Sequence, residues 1–129
     1  MSDLIRGVVV AHSDLAESLV RAVGAISGVS DALHPVSNEG LGPNGLTEAI
    51  SQWTQGGDTI LFVDLGGGSC GLASLGLTRG NRAVACLTGV NLPMLLDFVF
   101  HRDMPLDDLV PRLLEKGRAG QQSYPPRTT

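Results

Sequence analysis

The chain has 129 residues, 43% hydrophobic and 17% charged, a balance that suits one folded domain and excludes extended disorder. A formal charge of −4 with no basic stripe excludes nucleic acid as a partner. Two cysteines are too few for a disulfide framework, no basic leader precedes a long apolar stretch, and no apolar run reaches the roughly 18 residues that span a bilayer, so a cytoplasmic protein with no direct membrane insertion is expected.

In chain order, residues 4–11 form an apolar run that reads as a first strand, ending at His12. A helix follows over 14–27, with Leu15, Leu19, Val23 and Ile26 on one face, Asp14 and Glu17 spaced as a capping box, and Gly28 as its stop. Residues 31–36 read as a weak strand, which Pro35 assigns to an edge. The turn-rich segment 37–45 leads to a helix over 46–54. Residues 59–63 form the clearest strand and end at Asp64, followed by Gly66, Gly67, Gly68 and Ser69. A short, glycine-weakened helix over 70–77 and a strand over 82–87 come next. Asn91 caps a helix whose first turn holds Pro93, and a last helix covers 106–118. Residues 1–118 are thus expected to form one domain, and 119–129 a tail or a strand added to a neighbour.

Four strand–helix repeats imply an open, doubly wound α/β sheet of four parallel strands with helices on both faces. With right-handed crossovers and strand 1 between strands 2 and 3, the switch point falls between strands 1 and 3, where ligands gather beyond the carboxyl ends. His12 and Asp64 cap those two strands. A carboxylate that accepts the proton of one ring nitrogen fixes the tautomer and leaves the other nitrogen to attack. The backbone N–H groups of Gly67, Gly68 and Ser69, at a helix start, suit an anion such as a phosphoryl group. No GxxxxGK[ST] loop is present, so a nucleotide donor is not expected; a protein phosphohistidine fits better. No ligand cluster with metal spacing stands out, so neither metal nor other cofactor is expected.

Plainer readings exist for each feature. Asp64 can cap the next helix, and the glycine run can serve a tight turn alone. His34, beside Pro35, and His101, near a helix end, read as structural, and Cys70 and Cys86 as small core or helix-start residues. Cys70 also carries a minor reading as an activated thiolate beside the glycine loop.

Three segments together carry a resemblance: Val8-Val9-Val10-Ala11-His12-Ser13 with Ala16-Glu17-Ser18-Leu19, the run from Ile60 to Ser69, and the run from Thr88 to Leu96. In order and spacing they resemble the mannose-type enzyme IIA domain of the bacterial phosphoenolpyruvate-dependent sugar phosphotransferase system, over residues 4–118. The resemblance implies a phosphotransferase in which His12 accepts phosphate from the carrier protein HPr and passes it to a IIB component, here on a separate chain. It implies that Asp64 orients the ring and that Ser69 lies near the phosphoryl group. It further implies strand order 2-1-3-4 and a homodimer in which a C-terminal antiparallel strand, here within residues 119–125, is exchanged. The loop departs from the family's usual Gly-Gly-Ser-Pro, since Cys70, Gly71 and Leu72 follow Ser69, and Gly66 stands where an aromatic is common. A regulatory phosphocarrier or binding module, controlling a kinase or transcription factor instead of feeding a transporter, is the alternative, and a small-molecule binder at the same crevice is a third.

Overall fold

Apolar side chains alternate along two central strands, and that alternation sorts the core into two layers. The computed structural model describes residues 4–127; the expected domain's first three residues and the tail's last two lie outside them. The elements are β1 (Arg6–Ala11), α1 (Leu15–Ser27), β2 (Leu33–Ser37), α2 (Pro43–Ser51), β3 (Thr59–Val63), α3 (Gly68–Gly76), β4 (Val84–Thr88), α4 (Leu92–Val99) and α5 (Leu106–Ala119). The strands are all parallel in the order β2-β1-β3-β4. Val9 and Ala11 of β1, with Ile60 and Phe62 of β3, face a core completed by α1, α4 and α5. Val8 and Val10, with Leu61 and Val63, face the smaller core beneath α2 and α3. Burial of β1 and β3 on both faces explains their unbroken apolar runs, and Pro35 lies on the edge strand as a proline should.

Several boundaries shift for local reasons. β1 starts at Arg6, because the Ile5 N–H is drawn out of the sheet to the Arg102 carbonyl. β4 starts at Val84, after a turn in which the Asn81 side chain accepts from the Ala83 N–H. α2 begins at Pro43, three residues earlier than the periodicity suggests, since the fixed φ of proline suits a first helical turn. The expected capping box at Asp14 does not form: the residue sits at φ −95°, ψ 9°, outside the extended conformation a capping side chain needs, and makes no side-chain cap bond. Asn91 does cap α4, accepting from the Met94 N–H at 3.1 Å. Its amide also donates to the Gly117 carbonyl at 2.8 Å, which ties the start of α4 to the end of α5. Residues 120–127 form no strand.

The two helices are also clamped by charge. Arg112 grips Asp97 through two bonds, Nε to Oδ2 at 2.7 Å and Nη2 to Oδ1 at 3.0 Å. The His101 ring adds a bond from Nδ1 to the Asp97 carbonyl at 2.8 Å. The Arg112 hydrogen bond holds the Asp97 carboxyl below its ordinary value, against the opposing effect of burial. A depressed carboxyl stabilises the fold above its unfolded pKa and ceases to do so as the pH falls through its folded one. Asp97→Asn is therefore expected to lower the urea midpoint at neutral pH, and the gap from wild type should close as the pH falls through the depressed folded pKa of Asp97.

Candidate functional site

The site stands at the carboxyl edge of the sheet, where parallel pairing of β1 with β3 sets Val10 opposite Val63. The ladder runs one bond further, from the Asp64 N–H to the Val10 carbonyl at 3.2 Å. Asp64 then turns its side chain toward β1. Its Oδ2 accepts from the His12 backbone N–H at 3.0 Å and lies 2.9 Å from His12 Nδ1. An ionised carboxylate can only accept, so Nδ1 is the donor of this pair, and in the neutral form of the ring Nε2 is bare. Asp64 is thus occupied with the histidine and does not cap a helix. The His12 side chain is 38% exposed and that of Asp64 14%, so the ring is reachable while its partner is largely shielded from water.

The backbone around the ring is held from a third strand. Ser13 has φ 56°, a left-handed conformation that is costly for a residue with a Cβ. Its N–H donates to Asn38 Oδ1 at 3.1 Å, and its carbonyl accepts from Ser37 Oγ at 2.6 Å. Ser37 and Asn38 were not singled out by sequence reasoning. They stand at the carboxyl tip of β2, so extending the switch-point rule to that strand finds them.

On the other side, α3 opens at Gly68, two residues before the expected start, with Gly67 as an extended N-cap. Gly68 has φ 87°, and a Cβ there would lie 3.6 Å from His12 Nε2. The free ring nitrogen therefore faces the start of a helix whose first N–H groups have no intrahelical acceptor. Ser69 is exposed in that first turn and lines an apolar cavity of about 450 Å³ with Pro43, Thr47, Gly68, Leu72 and Ala73. Gly71, also unforeseen, lets the loop fold back onto α3: a Cβ there would overlap the Gly66 carbonyl and meet the Leu65 carbonyl oxygen at 2.9 Å.

The other candidates separate cleanly. His34 lies mid-strand opposite Val8 and stacks on Trp53, with ring centroids 4.0 Å apart; burial and the nearby Arg6 and Arg102 charges lower its pKa. His101 belongs to the Asp97 clamp. Cys70 is fully buried, and burial followed by the Asp64 charge pushes its thiol upward, against a weaker Ser69 hydrogen bond. That corrects the activated-thiolate reading. Cys70 does approach the site, since it forms a cluster with His12 and Asp64 that spacing along the chain gave no hint of. Because the Gly71 contact is with backbone, Gly71→Ala is expected to cost about 1–3 kcal/mol in a denaturant melt, and to displace the 65–68 loop, read as shifted amide resonances confined to that loop and α3.

Comparison with known proteins gives a consistent result. A family profile described as "PTS system fructose IIA component" matches residues 7–110. No curated protein matches the chain at a significant level. Among solved structures, the chain is similar to a phosphotransferase system component EIIA from Streptococcus agalactiae, at 23% identity and TM-score 0.87, covering 94% of this chain and 98% of that one. It is similar to the mannose/sorbose specific IIA subunit from Enterococcus faecalis, at 17% identity and TM-score 0.80, with coverages of 93% and 94%. A PTS IIA protein associated with the fucose utilization operon of Streptococcus pneumoniae aligns at 18% identity and TM-score 0.72, covering 95% of each chain. These likenesses establish a shared fold, whereas the profile, which spans most of the chain, establishes kinship: the protein belongs to the EIIA-man family of phosphotransferase-system IIA components, the phosphoryl-relay subunits of sugar uptake.

Proposed function

We propose that His12 is the residue that carries the phosphoryl group, received from an HPr-like donor and passed to a IIB-type acceptor. The observation that carries this reading is the 2.9 Å contact between His12 Nδ1 and Asp64 Oδ2, which leaves Nε2 unprotonated and facing the amino end of α3. Nε2 attacks the phosphorus of the donor's phosphohistidine. The donor's N–P bond breaks as the new one forms, and the donor imidazole leaves with its electron pair. The Nδ1 proton stays in place, so the phosphorylated ring gains positive charge, and the Asp64 carboxylate stabilises it. The first N–H groups of α3, from Gly68 and Ser69, together with the Gly67 N-cap backbone, bind the phosphoryl oxygens. Return of the group to the acceptor reverses the same steps.

A protein donor and acceptor also fit the surroundings. Leu15, Leu65 and Leu72 flank the site in sequence or line its cavity and are 40%, 58% and 70% exposed. Apolar side chains around a reachable nucleophile suit transient docking of two folded surfaces. No helix among the described residues is long and apolar enough to cross a membrane, which supports a cytoplasmic relay. We place residues 1–118 in the relay domain. The homodimer reading rests on β4, which among the described residues pairs with β3 alone, and on the expected exchange segment 119–125, of which residues 120–125 follow α5 and lie outside the sheet.

Incubation with enzyme I, HPr and labelled phosphoenolpyruvate tests the relay. Wild type should acquire acid-labile label and His12→Ala none, whereas Asp64→Asn should take label at least about tenfold more slowly while keeping its fold. Label retained in His12→Ala would end the assignment. For assembly, sedimentation should give a dimer that becomes a monomer when residues 120–129 are removed; an unchanged mass would rule out strand exchange.

A further inference from the structure

Three side chains far apart in sequence meet beneath the ring of His12. One ligand atom each from His12, Asp64 and Cys70 falls within 4.8 Å of the other two. A four-coordinate zinc ion, with bonds of about 2.0–2.3 Å, holds its ligands roughly 3.3–3.8 Å apart. Since no pair is farther apart than 4.8 Å, no separation has to shorten by more than about 1.5 Å to enclose one.

The carboxylate adds an independent observation. Asp64 uses Oδ2 twice, for the His12 backbone and the His12 ring, while Oδ1 is buried and has no hydrogen-bond partner among the described residues. A shielded carboxylate oxygen without a partner is an open coordination position. The chemistry of the set selects the ion. One imidazole nitrogen, one thiolate and one carboxylate are ligands for zinc-class metals, whereas magnesium and calcium take oxygen alone. Charge agrees: thiolate and carboxylate together balance a divalent cation, so the bound cluster is neutral where the buried thiolate alone would not be. The half-exposed ring leaves a way in and a fourth position for water.

We propose that His12, Asp64 and Cys70 form a binding site for a thiophilic divalent cation of the zinc class, and that occupation of this site blocks phosphorylation of His12. Metal–nitrogen, metal–oxygen and metal–sulfur bonds form, the Cys70 thiol proton leaves to solvent, and no electron changes hands. The metal takes either the bare Nε2, or Nδ1 in place of its bond to Asp64. In the second case the Nδ1 proton moves through solvent to Nε2, and in both the water molecules displaced from the ion leave to solvent. The site itself is independent of the relay assignment, and only the block rests on it.

Cobalt(II), added alone to the reduced full chain, reports on the site without any phosphotransfer. A thiolate-to-cobalt absorption band should grow to saturation at one equivalent. It should vanish in Cys70→Ser, survive in Cys86→Ser, and need roughly tenfold or more cobalt in Asp64→Asn. No band in wild type, or an undiminished band in both Cys70→Ser and Asp64→Asn, overturns the site. Saturating zinc should then abolish labelling of wild-type His12 and spare that of Cys70→Ser; undiminished labelling of metal-loaded wild type overturns the block. If unloaded wild type takes no label, the relay reading fails, and the cobalt band still decides the site.

Discussion

One carboxylate oxygen, Asp64 Oδ2, organises the working edge of this molecule. It accepts from both the backbone and the ring of His12, so the position and the tautomer of the imidazole follow from the same atom. The arrangement depends on β1 and β3 being neighbours in a parallel sheet. Parallel strands end on the same side, and their register sets the two tips level. The two-layered core, with Val9 and Phe62 on one face and Val8 and Leu61 on the other, keeps those strands adjacent. A displaced register would carry the carboxylate away from the ring by a residue's length, roughly 3.3 Å, which is more than a hydrogen bond tolerates.

Around that contact the backbone is shaped by close approach. Ser13 takes a left-handed conformation and is held there by Ser37 and Asn38, so β2 contributes to ring placement without touching the ring. Gly68 brings the start of α3 beside Nε2, and Gly71 lets the preceding loop lie against its own helix. Strain at Ser13 and missing side chains at Gly68 and Gly71 together bring the first N–H groups of α3 close to the His12 ring. The clamp of Asp97 and Arg112, together with the Asn91 cap, fixes α4 against α5 and contributes to the sheet's support and not to its chemistry.

The same geometry that suits a phosphoryl acceptor also assembles a nitrogen, an oxygen and a sulfur ligand. Cys70 is responsible. It lies buried in the smaller core on the α3 side, close enough to Asp64 for the carboxylate to act on its thiol. Family membership describes the relay, whereas the metal site proposed here rests on the position of this cysteine beside His12 and Asp64.

Composition and periodicity determined much of this protein. The apolar runs before His12 and Asp64, the proline in the edge strand, and Asn91 ahead of Pro93 were sufficient for four parallel strands, their helices and the two residues that meet at the switch point, because each is a local pattern with a local cause. Tertiary structure alone decided the rest. The start of α3 inside the glycine run, the idle capping side chain of Asp14, the support from Ser37 and Asn38, the need for glycine at position 71, and the position of Cys70 beside Asp64 all arise from distances between segments remote in the chain. No residue pattern encodes those distances, since they are set by how the packed layers bring separate backbones together.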